Sequence, residues 1–179
     1  MCIRDSFWRV LMAEWSLTGK PYAVQMKALE RAEGQRGFGF GMEMGLGKTA
    51  VALSEYISLY NEGKVDVMLV LCPHTLKHNW EVEAKRFVLD PKLRVFVWRH
   101  FPYTSEYPTI WVVNHEAFKS GNKTAIKEFM YIVKEYRQKF YVAIDESIVI
   151  KNPRSKLYKE LMGSVYKKAT YIRLSLIHI

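Results

Sequence analysis

Short apolar runs bounded by glycine, proline or charge alternate along this chain with longer stretches in which apolar residues recur every three or four positions. The runs are short and β-branched, so they read as strands; the periodic stretches read as helices. Residues 22–33 (YAVQMKALERAE) predict a first helix with Val24, Ala28 and Leu29 on one face, broken by Gly34 and Gly37. FGFGM (38–42) predicts a short buried strand, weakened by its glycines. Residues 48–61 (KTAVALSEYISLYN) predict a helix ended by Gly63. VDVMLVLC (65–72) reads as a buried strand stopped by Pro73, and residues 75–88 as a helix with Thr75 at its N-cap. LRVFVW (93–98) and TIWVVN (109–114) are two further strands, and residues 123–138 a basic amphipathic helix. FYVAID (140–145), a helix over 154–168 and TYIRLSL (170–176) complete the series, with no internal repeat or low-complexity tract.

Strands that alternate with helices need right-handed crossovers, which give an α/β fold with a mostly parallel sheet covered on both faces. Ligands of such sheets sit at the carboxyl ends of the strands. The residues just after each strand are therefore where chemistry is expected.

A length of 179 residues is that of one domain, enough to bury a core without disulfides or metal. With 49% hydrophobic and 25% charged residues, the composition is that of a globular protein and excludes long disorder, collagen and coiled coil as the main architecture. No apolar run approaches the ~18 residues that cross a bilayer. Asp5, Arg9 and Glu14 interrupt the apolar start, which makes a poor signal peptide. Two cysteines, Cys2 and Cys72, argue for a reducing cytoplasm rather than a disulfide framework. The formal charge of +9 favours a polyanionic partner such as nucleic acid, although many domains are basic for solubility alone. Residues 151–173 carry seven basic residues (Lys151, Arg154, Lys156, Lys159, Lys167, Lys168, Arg173) against Glu160, a net +6.

MEMGLGKTA (42–50) lies between an expected strand and a strong helix. Gly47, Lys48 and Thr49 match the second half of a phosphate-binding loop, with Met42 where the strict pattern has glycine. Glycines let backbone N–H groups approach phosphate, the helix N-terminus favours an anion, Lys48 places a compact charge and Thr49 offers a hydroxyl to Mg²⁺. The bland alternative is a glycine-rich helix start. AIDES (143–147) puts Asp145 and Glu146 at a strand end, 97 positions after Lys48 (145 minus 48). In phosphate-loop enzymes such an aspartate holds Mg²⁺ and a following glutamate polarises water; a solvated turn is the alternative. Both motifs are expected on neighbouring loops of one sheet edge. His74 and His78 have a metal-ligand spacing but lack the zincin glutamate. Trp80, Trp98 and Trp111 read as core packing rather than base stacking, and Lys123, Lys127 and Lys134 as a solvated helix face.

Taken together these residues resemble the Swi/Snf-type ATPases of helicase superfamily two. EMGLGKT (43–49) is similar to their DEMGLGKT, with Met42 in place of the aspartate, and DESIVIKNPRSKLYKEL (145–161) to their DE-S-H-x-IKNP segment, with Ile148 in place of the histidine. LVLCPHTLKHNWEVEAKRF (69–87) resembles motif Ia through Pro73, Trp80, Glu83 and Phe87; VVNHEAF (112–118) resembles motif Ib, and PYAVQ (21–25) the Q-motif. The resemblance implies a RecA-like lobe over residues 20–175 that binds ATP and Mg²⁺. It implies that Gln25 reads adenine, that Gly45, Leu46, Gly47, Lys48 and Thr49 cradle phosphate, that Thr49 and Asp145 hold Mg²⁺, and that Lys48 and Glu146 are catalytic. Pro73, His74, Thr75, Asn114 and His115 would face nucleic acid, and Lys151 and Asn152 would have a positioning role. The implied partners are double-stranded DNA and a second RecA-like lobe, in a compact bacterial or phage style. An RNA-acting superfamily-two motor and a non-hydrolysing nucleotide-binding scaffold are the alternative functions; the IKNP segment and the intact Lys48, Asp145 and Glu146 argue against them. MCIRDS and LSLIHI resemble translated sequencing-adapter sequence, so residues 1–6 and 174–179 are expected to be foreign and the natural chain longer; residues 1–19 carry no assignment.

Overall fold

Among the described residues six strands run parallel in one sheet, in the spatial order β1-β6-β5-β2-β4-β3. The computed structural model describes residues 21–43, 45–88, 90–97, 107–119, 124–135, 138–147 and 151–176. The expectations for residues 1–19, Trp98, Lys123, Ile148 and His178 lie outside these. The elements in chain order are α1 (Ala23–Ala32), β1 (Gly37–Gly41), α2 (Lys48–Asn61), β2 (Val67–Cys72), a 3-10 turn (His74–Leu76) and α3 (Lys77–Phe87). There follow β3 (Arg94–Val97), β4 (Thr109–Asn114), α4 (His115–Lys119), α5 (Thr124–Glu135), β5 (Phe140–Ile144), α6 (Lys156–Glu160), a π turn (Leu161–Val165), α7 (Tyr166–Lys168) and β6 (Ala169–Leu176).

The central strands are buried on both faces, which is why they read as unbroken apolar runs. Along β2, Met68, Val70 and Cys72 pack with α1, α2 and α3, while Val67, Leu69 and Leu71 pack with α5, α6 and the π turn. Phe140 anchors the second layer, 4.9 Å from the Phe129 ring and 5.5 Å from the Trp111 ring. Gly63, at φ 66°, takes the left-handed conformation just beyond α2, as a helix-ending glycine does.

Several local expectations need correction. The buried stripe of α1 is Gln25, Ala28, Leu29 and Ala32, whereas Val24 is exposed. Thr75 caps nothing: it lies inside the 3-10 turn, and α3 starts after Leu76 without a side-chain cap. The helix expected over 154–168 starts at Lys156, where the Ser155 hydroxyl accepts from the Tyr158 N–H, and it carries a π turn in the middle. The strands that lead to the phosphate loop and to Asp145 are not neighbours, because β6 lies between β1 and β5.

Arg173, on β6, is 1% exposed, so it adds nothing to a basic surface patch. Its Nε and Nη2 form a bidentate pair with Glu55 of α2, the Nε bond measuring 2.7 Å. The remaining N–H groups donate to the carbonyls of Arg36 (3.2 Å), Ile172 (3.0 Å) and Ala32 (3.3 Å), so all five guanidinium donors are used. Tyr141 of β5 donates its hydroxyl to Glu55 Oε2 at 3.0 Å, and burial followed by the Glu55 charge holds that hydroxyl protonated far above its usual range. Burial works against the Arg173 charge, but the Glu55 hydrogen bond and charge outweigh it and keep the guanidinium ionised.

Removing either partner leaves a buried, uncompensated charge, which typically destabilises by about 3–5 kcal/mol. Arg173→Leu and Glu55→Gln should each show a loss of that size in chemical denaturation, and the Arg173→Leu/Glu55→Leu double variant less than the sum. Single variants within about 1 kcal/mol of the parent would contradict a structural role for the pair.

Candidate functional site

The chain leaves β1 at Gly41, buries Met42 in the core, and turns through two left-handed glycines, Gly45 (φ 80°) and Gly47 (φ 74°), into α2. Gly47 is favoured by its backbone, and a side chain there would also displace the Gln25 amide. Its φ suits glycine, and a Cβ there would lie 2.5 Å from Gln25 Nε2. α2 begins at Lys48 with no side-chain cap and no acidic residue in its first turn. Its leading N–H groups have no intrahelical acceptors and its dipole favours an anion. Lys48 Nζ lies over the loop and donates to the carbonyls of Met42 and Glu43, both at 3.0 Å. Met42, where the resembling proteins carry aspartate, thus contributes an apolar plug and a carbonyl.

At the end of β5, Asp145 N–H donates to the Leu71 carbonyl at 2.8 Å, which fixes the start of the turn. Both Asp145 carboxylate oxygens are engaged: Oδ1 accepts from the Glu146 N–H at 3.0 Å and Oδ2 from Trp80 Nε1 at 2.9 Å. Glu146 has φ 48°, the one non-glycine residue with a positive φ among the described residues. A left-handed conformation strains a residue with a Cβ by roughly 1–2 kcal/mol and commonly marks functional sites. Ser147 closes the turn by donating to the Ser175 carbonyl at 2.8 Å.

Both motifs open onto one cleft of about 580 Å³, whose lining includes Gln25, Gly45, Gly47, Lys48, Thr49 and Asp145. A smaller recess, which shares Lys48, Thr49 and Asp145 with the cleft, is also lined by Trp80 and Arg173. Leu46 is half-buried behind the loop and packs on the core. Gln25 is buried and clipped into the scaffold: its Oε1 accepts from the Tyr22 N–H at 2.9 Å and its Nε2 donates to the Leu46 carbonyl at 3.0 Å. One amide N–H and one oxygen lone pair are not used by these two bonds. The cleft's other wall holds exposed Tyr22, which precedes α1, and Glu83, Arg86 and Phe87 from α3; Tyr22, Glu83 and Phe87 fall in the segments that resemble the Q-motif and motif Ia, without a site role expected there, and Arg86 was not singled out. The i, i+3, i+4 spacing of those α3 residues was the available signal.

The residues expected to face nucleic acid come from the ends of adjacent strands, Cys72 of β2 pairing in register with Asn114 of β4. His74 and Thr75 are exposed, Pro73 and Asn114 half-buried. The Asn114 amide donates to the Glu116 carboxylate at 2.8 Å, and that bond lowers the Glu116 pKa. His115 is placed otherwise than the sequence suggested. It is 4% exposed, so as it stands it offers the surface nothing, and burial lowers its pKa. Burial, followed by the Asp145 charge, pushes the Cys72 thiol up to about 12, so it is a packing residue and no nucleophile. Lys151 and Asn152 are exposed, and the Asn152 side chain accepts from the Arg154 N–H at 2.9 Å. Among the described residues no helix is long and apolar enough to cross a membrane.

The sequence profile of the SNF2-related domain matches residues 26–172. Over 129 residues the chain is 33% identical to the chromatin-remodeling ATPase INO80 of Pyricularia oryzae, covering 68% of this chain and 7% of that protein. It is 47% identical over 55 residues to the DNA excision repair protein CSB of Oryza sativa subsp. japonica, covering 31% of this chain and 4% of that protein. Among solved structures, the Sulfolobus solfataricus SWI2/SNF2 ATPase core in complex with dsDNA superposes with a TM-score of 0.66 at 23% identity, over 92% of this chain and 33% of that one. The UvsW helicase from bacteriophage T4 superposes with a TM-score of 0.65 at 12% identity, over 96% of this chain and 59% of that one. These structures share the RecA-like fold, and the chain spans less than a tenth of the length of its curated relatives. With the profile covering most of its length, the chain belongs to the SNF2-related domain family.

Proposed function

We propose that this chain is the ATP-binding lobe of a DNA-dependent ATPase that translocates on duplex DNA. The observation that carries the reading is the convergence of Lys48, Thr49 and Asp145 on one cleft, in a chain of the SNF2-related family. The Sulfolobus neighbour is a complex with dsDNA, and the curated relatives are named a chromatin-remodeling ATPase and a DNA excision repair protein. These names support duplex DNA as the polymer. The compact style carries the further reading that the protein works in the cytoplasm of a bacterial or phage-infected cell.

The donor set fits Mg²⁺. The Thr49 hydroxyl and the Asp145 carboxylate are hard oxygen ligands on one recess, and among the described residues no group of three His, Cys, Asp or Glu could hold a metal. Mg²⁺ suits such a site because it takes one or two protein ligands and completes its shell with phosphates and water. When bound it supplies charge neutralisation on the phosphate oxygens. The chain's own residues do the rest. Lys48 exchanges the Met42 and Glu43 carbonyls for phosphate oxygens, and the first N–H groups of α2 hold the anion in place. Glu146 is the base that orients the attacking water, on a backbone held left-handed beside Asp145. Gln25, with Tyr22 and Phe87 near it, takes the adenine. His74, Thr75 and Asn114 touch the DNA backbone, and a second RecA-like lobe completes the transition-state charge.

Lys48→Ala should abolish ATP-analogue binding in calorimetry while circular dichroism is unchanged, because the ammonium contacts loop carbonyls and not the core. Unchanged affinity would sink the phosphate-loop assignment. The 179-residue chain should bind Mg-ATP and barely turn it over, with no stimulation by duplex DNA, since a catalytic arginine from a partner lobe is typically worth about 10³–10⁵ in rate. Strong DNA-stimulated turnover by the 179 residues alone would show that the arginine lies within them. DNA binding should weaken steeply with salt and ignore base sequence, as phosphate contacts do; a salt-independent affinity contradicts it. Glu146→Gly should match or exceed the thermal stability of Glu146→Ala, because glycine relieves the left-handed strain of roughly 1–2 kcal/mol. A glycine variant markedly less stable than the alanine one would show that Glu146 is unstrained.

A further inference from the structure

Trp80 sits on the first turns of α3, 5% exposed and packed in the core cluster that includes Val51 and Ala52 of α2. Filling that space needs only an apolar ring. An indole also brings an N–H, a donor that must find an acceptor once buried. Here the acceptor is Asp145 Oδ2, 2.9 Å away and 65 positions along the chain. The other oxygen, Oδ1, is held by the Glu146 N–H at 3.0 Å. The carboxylate is thus gripped on both oxygens from two directions, which fixes the rotation of its plane and selects the lone pairs that face the recess. Trp80 borders that recess itself, beside Lys48 and Thr49.

We propose that Trp80 is a positioning residue for Asp145: through its indole N–H it sets the carboxylate in the orientation that meets the Mg²⁺ of bound Mg-ATP. The inference rests on the Mg-ATP reading above. Partners that orient a metal ligand typically change metal affinity by 10–100-fold when removed, without touching the metal. A phenylalanine keeps most of the packing and drops the donor, so the two roles of the side chain separate.

The test titrates Mg²⁺ against ATP binding by calorimetry on the full 179-residue chain, as wild type, Trp80→Phe, Asp145→Asn and the double variant. Trp80→Phe should bind ATP in EDTA as wild type does, yet need roughly 10-fold more Mg²⁺ to reach the tightened state. In the Asp145→Asn background the same substitution should change nothing further. Equal losses with and without Mg²⁺, or effects that add, would show that Trp80 only packs, and would overturn the inference. A wild type whose ATP affinity ignores Mg²⁺ would refute the Mg-ATP reading instead. A second measurement does not depend on how Trp80→Phe folds. In ¹H–¹⁵N spectra, Asp145→Asn should shift one indole N–H resonance strongly, and adding Mg²⁺ to the ATP-bound wild type should shift the same resonance. If no indole resonance responds to Asp145→Asn, the hydrogen bond is not made and the proposal fails.

Discussion

The buried pair of Arg173 and Glu55 is the constraint on which the glycine loop between β1 and α2 depends. One guanidinium reaches the end of α1 through Ala32, the entry to β1 through Arg36, its own strand through Ile172, and α2 through Glu55. β1 and α2 flank the phosphate loop, so the same side chain sets the position of both ends from which the loop hangs. The pair is a demanding way to do this, because a buried charge is tolerated only when every donor is used. All five are, and Tyr141 supplies Glu55 with a further bond. The geometry has little slack, which suits a loop whose glycines have no side chains to hold it.

The site then follows from the sheet order. β6 separates β1 from β5, so the phosphate loop and Asp145 stand two strand spacings apart, about 9–10 Å. Two braces close the cleft at its sides. Gln25 ties α1 to the loop through the Leu46 carbonyl, and Trp80 ties α3 to Asp145. One brace ends on the loop backbone and the other on the Asp145 carboxylate, so a shift of either helix would move part of the cleft wall.

The parts legible in sequence were those whose physics is local. β2 and β4 read as strands because both their faces are apolar, and the glycines of the loop announced themselves because backbone approach to phosphate and a positive φ both demand them. Asp145 and Glu146 were readable from their place after an apolar strand. What failed was decided by tertiary partners. Arg173 counted as surface charge because its neutraliser lies 118 positions away. His115 was assigned to the surface, yet its place at the start of a short helix turns it inward. Trp80 was read as packing, which is half of its contacts; the other half, the bond to Asp145, has no periodicity to betray it. The π turn at Leu161–Val165 left no mark in the residue pattern.

Arg173 also bears on what the lobe can do alone. Transfer of a phosphoryl group to water spreads negative charge over oxygens that Mg²⁺ and one lysine neutralise only in part, and an arginine commonly supplies the remainder. Arg173 borders the recess beside Lys48, Thr49 and Asp145 and is, by position, a candidate. Its donors are all spent on Glu55 and three carbonyls, however, and pulling one free would expose the buried carboxylate to the desolvation that the pair offsets. The other arginine lining the cleft, Arg86, rises from α3 with its guanidinium 5.6 Å from the Phe87 ring, on the wall that also bears Glu83. Arg173 is therefore not free to follow charge that develops on a bound phosphate. The stiffness that positions the loop holds the Arg173 guanidinium in the scaffold, and the function proposed above assigns the remaining charge to a second lobe.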